Sequence, residues 1–198
     1  MMTRWTFLTR IGKGVIVAAG VVFLGTLMSG PSLAAEYKEE ETRVLLSRLK
    51  DSKHSLVDGI SQAEKAYGIA ISAKFEMKGE NLMLSVYTAK EGRNKDAEHN
   101  VLMELLGDAT KPTWEPEIEV FEDKPHIARS AMHLTLMQVT KLALVEVIKK
   151  AAAVQPGTVY SVIPAVRDGK PIFGVLVATP DGKSVPLTLD LRTGKVIK

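Results

Sequence analysis

Three side chains near the middle of the chain have types and spacing that could bind a metal: His126, His133 and Met137. His133 and Met137 are one helical turn apart, and an imidazole with a thioether is a ligand set that copper(I) accepts. The alternative is that Met137 fills a gap in an apolar helix, as buried methionines commonly do. We favour packing and expect no metal or other cofactor, while a metal- or small-ligand-binding protein stays open as an alternative function.

The sequence lacks the usual catalytic signatures. It contains no cysteine, no Gly-x-Ser-x-Gly elbow, no His-Glu-x-x-His and no phosphate-binding glycine loop. A thiol nucleophile and the common hydrolase constellations are therefore excluded, and we expect a protein without enzymatic activity.

Residues 69–77 alternate apolar and polar side chains, which predicts a half-buried strand. A turn at residues 78–81 and a second alternating run complete a hairpin that contains no proline. An edge strand of this kind can bind an extended peptide, because its backbone donors and acceptors are unpaired. The predicted partner-binding residues are Ile71, Lys74, Phe75 and Trp114. Proline at position 74 is then expected to abolish partner capture.

Two alternatives to this docking hypothesis stay open. Trp114, which lies between Pro112 and Pro116, could instead pin its own loop over a core. The two halves of the chain could also pack on each other and cover the strand edges.

These residues must be positioned by helices and strands that the apolar spacing predicts. In the first half we expect a long helix over residues 36–67, a loop, a helix over residues 97–106 and a short strand over residues 117–121. In the second half we expect a long helix over residues 130–153. Strands are expected at 159–166, 172–179 and 185–191. Pro164 and Pro186 cannot donate to a ladder, which predicts that the first and third of these strands are edges.

The two halves repeat one pattern, a helix followed by a hairpin. In the helices Leu56 aligns with Leu144, an offset of 88, and in the hairpins Gly79 aligns with Gly169, an offset of 90. A period of this length with two copies indicates a duplicated domain. The predicted fold class is α+β, with two units at residues 36–123 and 124–198, each a long helix packed on an antiparallel sheet.

Residues 1–35 have the features of a secretory signal peptide. Three basic residues precede an apolar run, and Ala34 and Ala35 follow it as small residues suited to cleavage. An uncleaved membrane anchor is the alternative. Either way the folded part is exported, so we expect a periplasmic or secreted protein, or one anchored in the membrane and facing the periplasm.

Charge argues against a nucleic-acid partner. All 23 acidic residues and 23 of the 26 basic residues lie after residue 35, so the mature chain is formally neutral. A basic overall pI that comes from the signal segment gives no basic face for phosphate binding.

The second unit resembles the PepSY family, a small module of peptidase propeptides and exported bacterial proteins. The resemblance lies in residues 168–173, in Asp181-Gly182-Lys183, and in the closing run Leu189-Asp190-Leu191-Arg192-Thr193-Gly194. The first unit is similar through residues 70–76 and 84–87 but lacks the terminal Thr-Gly. The resemblance implies a non-catalytic protein that binds and modulates another envelope protein, such as a peptidase that it inhibits or helps to fold. The oligomeric state is left open.

Overall fold

A computed structural model describes residues 39–197, so the predicted signal segment lies outside the described residues. These residues form four α-helices and one antiparallel sheet of eight strands, which confirms the α+β class. The helices are α1 Glu39–Arg48, α2 Leu56–Tyr67, α3 Lys124–Val139 and α4 Leu144–Val154. The strands are β1 Ile69–Lys78, β2 Asn81–Ala89, β3 Leu102–Asp108, β4 Glu117–Val120, β5 Thr158–Arg167, β6 Lys170–Ala178, β7 Ser184–Asp190 and β8 Val196–Ile197.

The sheet runs without a break through both halves of the chain. Its strand order is β4-β3-β2-β1-β5-β6-β7-β8, so each half contributes a run of four consecutive strands. The first strands of the two runs, β1 and β5, join them through the pairs Ala73–Val162 and Lys74–Ser161. Within the described part of the chain, the outer edges of the sheet are β4 and β8.

The hairpins of the two halves repeat with an offset of 89 residues. Strands β1 and β5 begin at positions 69 and 158, β2 and β6 begin at positions 81 and 170, and both hairpins shift register after their second residue. The offset of 90 predicted from the glycines is wrong by one residue. Gly79 is the first residue of its turn, at φ 61°, whereas Gly169 is the second residue of its turn and follows Asp168, at φ 51°. These are two different hairpin turns that both need positive φ.

The two faces of the sheet differ in chemistry. Helices α2 and α4 contact each other and cover one face, where Gly59 of α2 lies against Leu84. Since neighbouring residues of a strand point to opposite faces, Ser85 lies on the other face, against α3. The first face is built from aliphatic and aromatic side chains such as Phe75, Val162 and Phe173.

Each half has two shorter helices in place of the single long helix that we predicted. In the first half the helix ends at Arg48, a short 3₁₀ turn follows, and α2 starts afresh at the N-cap Ser55. The Ser55 and Asp58 side chains there form a reciprocal capping box. In the second half α3 and α4 meet at 80° across residues 140–143. The apolar stripe continues across both breaks, so its spacing did not reveal them.

The helix predicted over residues 97–106, within the first unit, is wrong. Residues 102–108 form β3, which pairs with β2 along its whole length and with β4. Leu, Met and Glu favour helix, but pairing on both sides and burial of Leu105 outweigh that preference.

The prediction that the proline-containing strands are edges is also wrong. Strand β5 lies between β1 and β6, and β7 lies between β6 and β8. Pro164 of β5 is not part of the pairing with β1, which involves only Ser161 and Val162. Pro186 of β7 is not part of the pairing with β8, which involves only Thr188 and Leu189. Strand β6 is interior, as expected.

Candidate interaction site at the sheet edge

Under α3 the sheet presents a row of polar side chains. The register places Ser72, Tyr87, Glu104 and Glu119 in one line across β1 to β4. A second line runs from Ser161 through Lys74 to Ser85. Directly paired residues share a face, so all these side chains lie on the α3 side of the sheet.

His133 of α3 is buried against this polar row. Its ring centroid is 6.5 Å from that of Tyr87, and its Nδ1 has no hydrogen-bond partner among the described residues. Burial, with smaller effects of Arg129 and Lys74, lowers the pKa of His133 to about 4. The imidazole is therefore neutral at pH 7. It borders a cavity of about 10 Å³, which is room for about one water molecule.

The other two metal candidates have different surroundings. His126 is half-buried, its Nδ1 lies 2.6 Å from Asp123 Oδ2, and its ring stacks on Phe121 at 5.1 Å. Met137 is buried in the hydrophobic core. The two imidazoles contact different aromatic rings, Phe121 and Tyr87, and among residues 39–197 no group of three or more His, Cys, Asp or Glu could hold a metal ion.

Glu104 is a buried acid in the same polar row. Ser85 Oγ donates a 2.5 Å hydrogen bond to its Oε1. Burial raises the pKa of Glu104, and the nearby carboxylates of Glu76 and Glu119 raise it further, against the Ser85 hydrogen bond and Lys74, which lower it. Lys74 itself forms a 2.7 Å salt bridge with Glu76.

The three β1 residues predicted to bind a partner lie in the middle of the sheet. Ile71 and Phe75 are buried core residues, and Lys74 pairs with Ser85 on one side and Ser161 on the other. β1 is therefore not an edge strand, and the alternative in which the two halves cover each other's edges holds. Proline at position 74 would disturb the sheet itself, so it is not a clean test of docking.

Trp114 is also a core residue, with 1% of its surface exposed. It packs over Gly107 of β3 so closely that a Cβ at position 107 would lie 2.4 Å from its Nε1. Gln62 of α2 donates a 2.8 Å hydrogen bond to its backbone carbonyl. Trp114 therefore holds residues 109–116 against the apolar face of the sheet. This agrees with the alternative interpretation, in which Trp114 pins its own loop over a core.

The open strand edge of the first half is β4. Ile118 and Val120 are 45% and 51% exposed, although their partners on β3, Leu105 and Met103, are buried. The amide of Phe121 donates to the carbonyl of Leu102, and amides of successive residues point to opposite edges of an antiparallel strand. The N–H groups of Ile118 and Val120 therefore point away from β3, where an added strand could bind them.

The other two side chains of β4 are acidic. Glu117 and Glu119 point to the α3 face, and both are exposed. Residues 36–123 carry 19 acidic and 12 basic side chains, whereas residues 124–198 carry four acidic and 11 basic ones. The β4 edge, residues Glu117–Val120, is therefore the outermost strand of the acidic half of the molecule.

A groove of about 620 Å³ lies beside this edge. Its lining includes Met83, Leu106 and the carboxylates of Asp108, Glu115 and Glu117. Lys78 and Lys111 also border it. The groove continues the polar face of the sheet beyond the part that α3 covers.

The sequence predicted the β4 strand but not its position at the edge of the sheet. The signal was present in Glu115-Pro-Glu-Ile-Glu-Val-Phe-Glu-Asp123, which alternates acidic and apolar residues and contains no basic residue. Which strand lies at an edge depends on sheet order, and the absence of proline from the first hairpin predicts the wrong strand as the edge.

Among the described residues no single helix is long and apolar enough to cross a membrane. The bent pair α3 and α4 passes that test only when the two are joined.

Comparison with known proteins gave one structural likeness. No family model matches the chain, and no curated protein matches it. A crystal structure described as a "putative lipoprotein" from Clostridium difficile 630 aligns at 15% sequence identity and a TM-score of 0.40, covering 74% of this chain and 92% of the other.

Proposed function

We propose that this protein is exported, has no catalytic activity of its own, and binds and modulates another protein of the cell envelope, with the β4 edge as its docking strand. The signal-like residues 1–35 support export. The resemblance to PepSY modules favours a peptidase as the partner, which the protein would inhibit or help to fold.

The observation that carries the proposal is the exposed β4 edge. Natural sheets usually protect an edge by covering it, twisting it or adding charge, because unpaired N–H and C=O groups recruit other strands. Here the edge keeps two outward amides, two exposed aliphatic side chains and two glutamates. The glutamates discourage pairing with another acidic strand and leave the edge available to a strand of different charge.

The experiment is affinity capture from the envelope fraction of the source organism, followed by purification of the captured protein and measurement of its binding. Ile118→Pro removes one outward N–H and leaves the amides of Glu117 and Glu119, which point to β3, in place. We expect this variant to lose binding while its circular dichroism and melting temperature stay close to those of the wild type.

Ile118→Ala is the matched control, because it keeps the amide and shortens only the side chain. It should bind more tightly than Ile118→Pro, losing only the contribution of the shortened side chain. A captured protein that binds wild type and Ile118→Pro equally would refute docking at β4, and an envelope fraction that yields no binding protein would refute the function.

A further inference from the structure

We infer that the segment bound at the β4 edge is an extended strand that alternates basic and aliphatic residues, its lysines or arginines facing Glu117 and Glu119 and its aliphatic residues facing Ile118 and Val120. The inference rests on the proposed function and specifies the chemistry of the partner.

The side of β4 that carries Glu117 and Glu119 favours a neighbouring strand with basic side chains. A strand added beyond β4 places side chains directly opposite Glu117 and Glu119, about 4.5–5.5 Å away between Cβ atoms. On the inner side Glu119 already lies opposite another acid, Glu104, and no salt bridge involves Glu117 or Glu119 within residues 39–197. A lysine or arginine from the partner would offset this repulsion, and the groove beside Glu117 has room for its long side chain.

The side of β4 that carries Ile118 and Val120 favours a neighbouring strand with aliphatic side chains. Ile118 and Val120 extend the apolar layer that Leu105 and Met103 begin, but half of their surface faces solvent. Aliphatic side chains on the same face of an added strand would cover this surface, and each buried methylene contributes about 0.8 kcal/mol.

Neither sheet edge within residues 39–197 of a second copy supplies such a strand. Two β4 edges would bring glutamates together. At the other end of the sheet, β8 is only two residues long, and Val196 and Ile197 point to opposite faces.

The test uses the purified protein and short synthetic peptides, with binding measured by fluorescence anisotropy at low and high salt. A peptide that alternates lysine and valine should bind, and one that alternates glutamate and valine should not. The double variant Glu117→Lys with Glu119→Lys should lower the affinity for the lysine peptide about tenfold or more and create binding of the glutamate peptide.

Two controls separate edge pairing from general attraction. Glu80→Lys with Glu98→Lys makes the same charge change at exposed positions elsewhere in the acidic half, and it should change binding by less than about threefold. A lysine peptide methylated on its ladder amides should not bind.

Equal binding of both peptides, equal effects of the two double variants, or concentration-dependent self-association that Glu117→Lys removes would overturn the inference. If the lysine peptide fails to bind but a captured envelope protein still depends on the Ile118 amide, the partner chemistry is wrong and the proposed function stands.

Discussion

Glu104 of β3 and Glu119 of β4 lie directly opposite each other on the same face of the sheet. Glu104 is buried and bonded to Ser85, whereas Glu119 is exposed at the edge. Like charges in this arrangement destabilise a sheet. A charge at the exposed edge therefore acts on a buried carboxylate. A basic residue placed outside Glu119 would lower the free energy of both carboxylates.

Glu104→Gln should stabilise the protein at neutral pH. Burial raises the pKa of Glu104 in the folded state. The neutral carboxyl therefore contributes stability that is fully present below the ordinary pKa of 4.5 and is lost as the pH rises through the folded pKa. Glutamine keeps an acceptor for Ser85 without the charge. Urea unfolding at pH 8 should show a gain that shrinks towards pH 4, whereas Glu119→Gln should gain less. A loss of stability at pH 8 would contradict the assignment.

Stability should fall as the pH drops from 6.5 towards 4. The unfolded chain protonates His133 near 6.5, but the folded protein holds its pKa at about 4, so the unfolded state binds more protons in this window. The cost is on the order of 3 kcal/mol at most. His133→Phe should remove most of this pH dependence in urea unfolding, and His126→Phe, at the half-buried ring, should not. An unchanged slope in His133→Phe would contradict the assigned pKa.

Gly107→Ala should destabilise the fold by about 2 kcal/mol or more, because the new methyl group would overlap the indole of Trp114. Trp114→Phe in the same chain should restore part of the loss, since the indole Nε1 has no hydrogen-bond partner within residues 39–197 that the change would remove. Gly59→Ala is the comparison: its methyl group meets the flexible end of Leu84 and should cost less. Equal losses at the two glycines in thermal unfolding would refute this packing argument.

Copper or zinc should not raise the melting temperature. A ligand that binds only the native state raises stability, and within residues 39–197 no group of three or more His, Cys, Asp or Glu could hold a metal ion. A saturable rise in melting temperature that His126→Phe or His133→Phe abolishes would instead favour the metal-binding alternative.

Export should remove the signal segment. Intact mass measurement of the protein from the periplasm should give a chain that begins at Ala35 or Glu36, after cleavage between small residues. A mass that includes residues 1–34, found with the membrane, would show that the segment is an anchor.

Local patterns predicted the hairpins well, because alternation and turn glycines act within a few residues. Strands β1, β2, β5, β6 and β7 all lie where the alternation predicts them. One failure involves contacts between distant residues, because pairing of residues 102–108 with both neighbouring strands overrode helix propensity. The other is local: the capping box at Ser55 starts a new helix although the apolar stripe is continuous.

The candidate site depended on sheet order, which alternation does not encode. The acidic and aliphatic alternation of Glu117–Val120 was visible in the sequence, but its meaning requires knowing that β4 has no outer neighbour among residues 39–197. Because β1 pairs with β5, the predicted docking residues Ile71, Lys74 and Phe75 lie in the interior of the sheet.

Amide hydrogen exchange at Ile118 and Val120 tests the central claim most directly. Both amides point away from β3, so in the free protein they should exchange quickly. Adding the lysine and valine peptide or the captured envelope protein should slow exchange at these two positions, while the amides of Glu117 and Glu119, already bonded to β3, change little. Protection that arises elsewhere on the molecule, with Ile118 and Val120 still exchanging quickly, would contradict docking at the β4 edge.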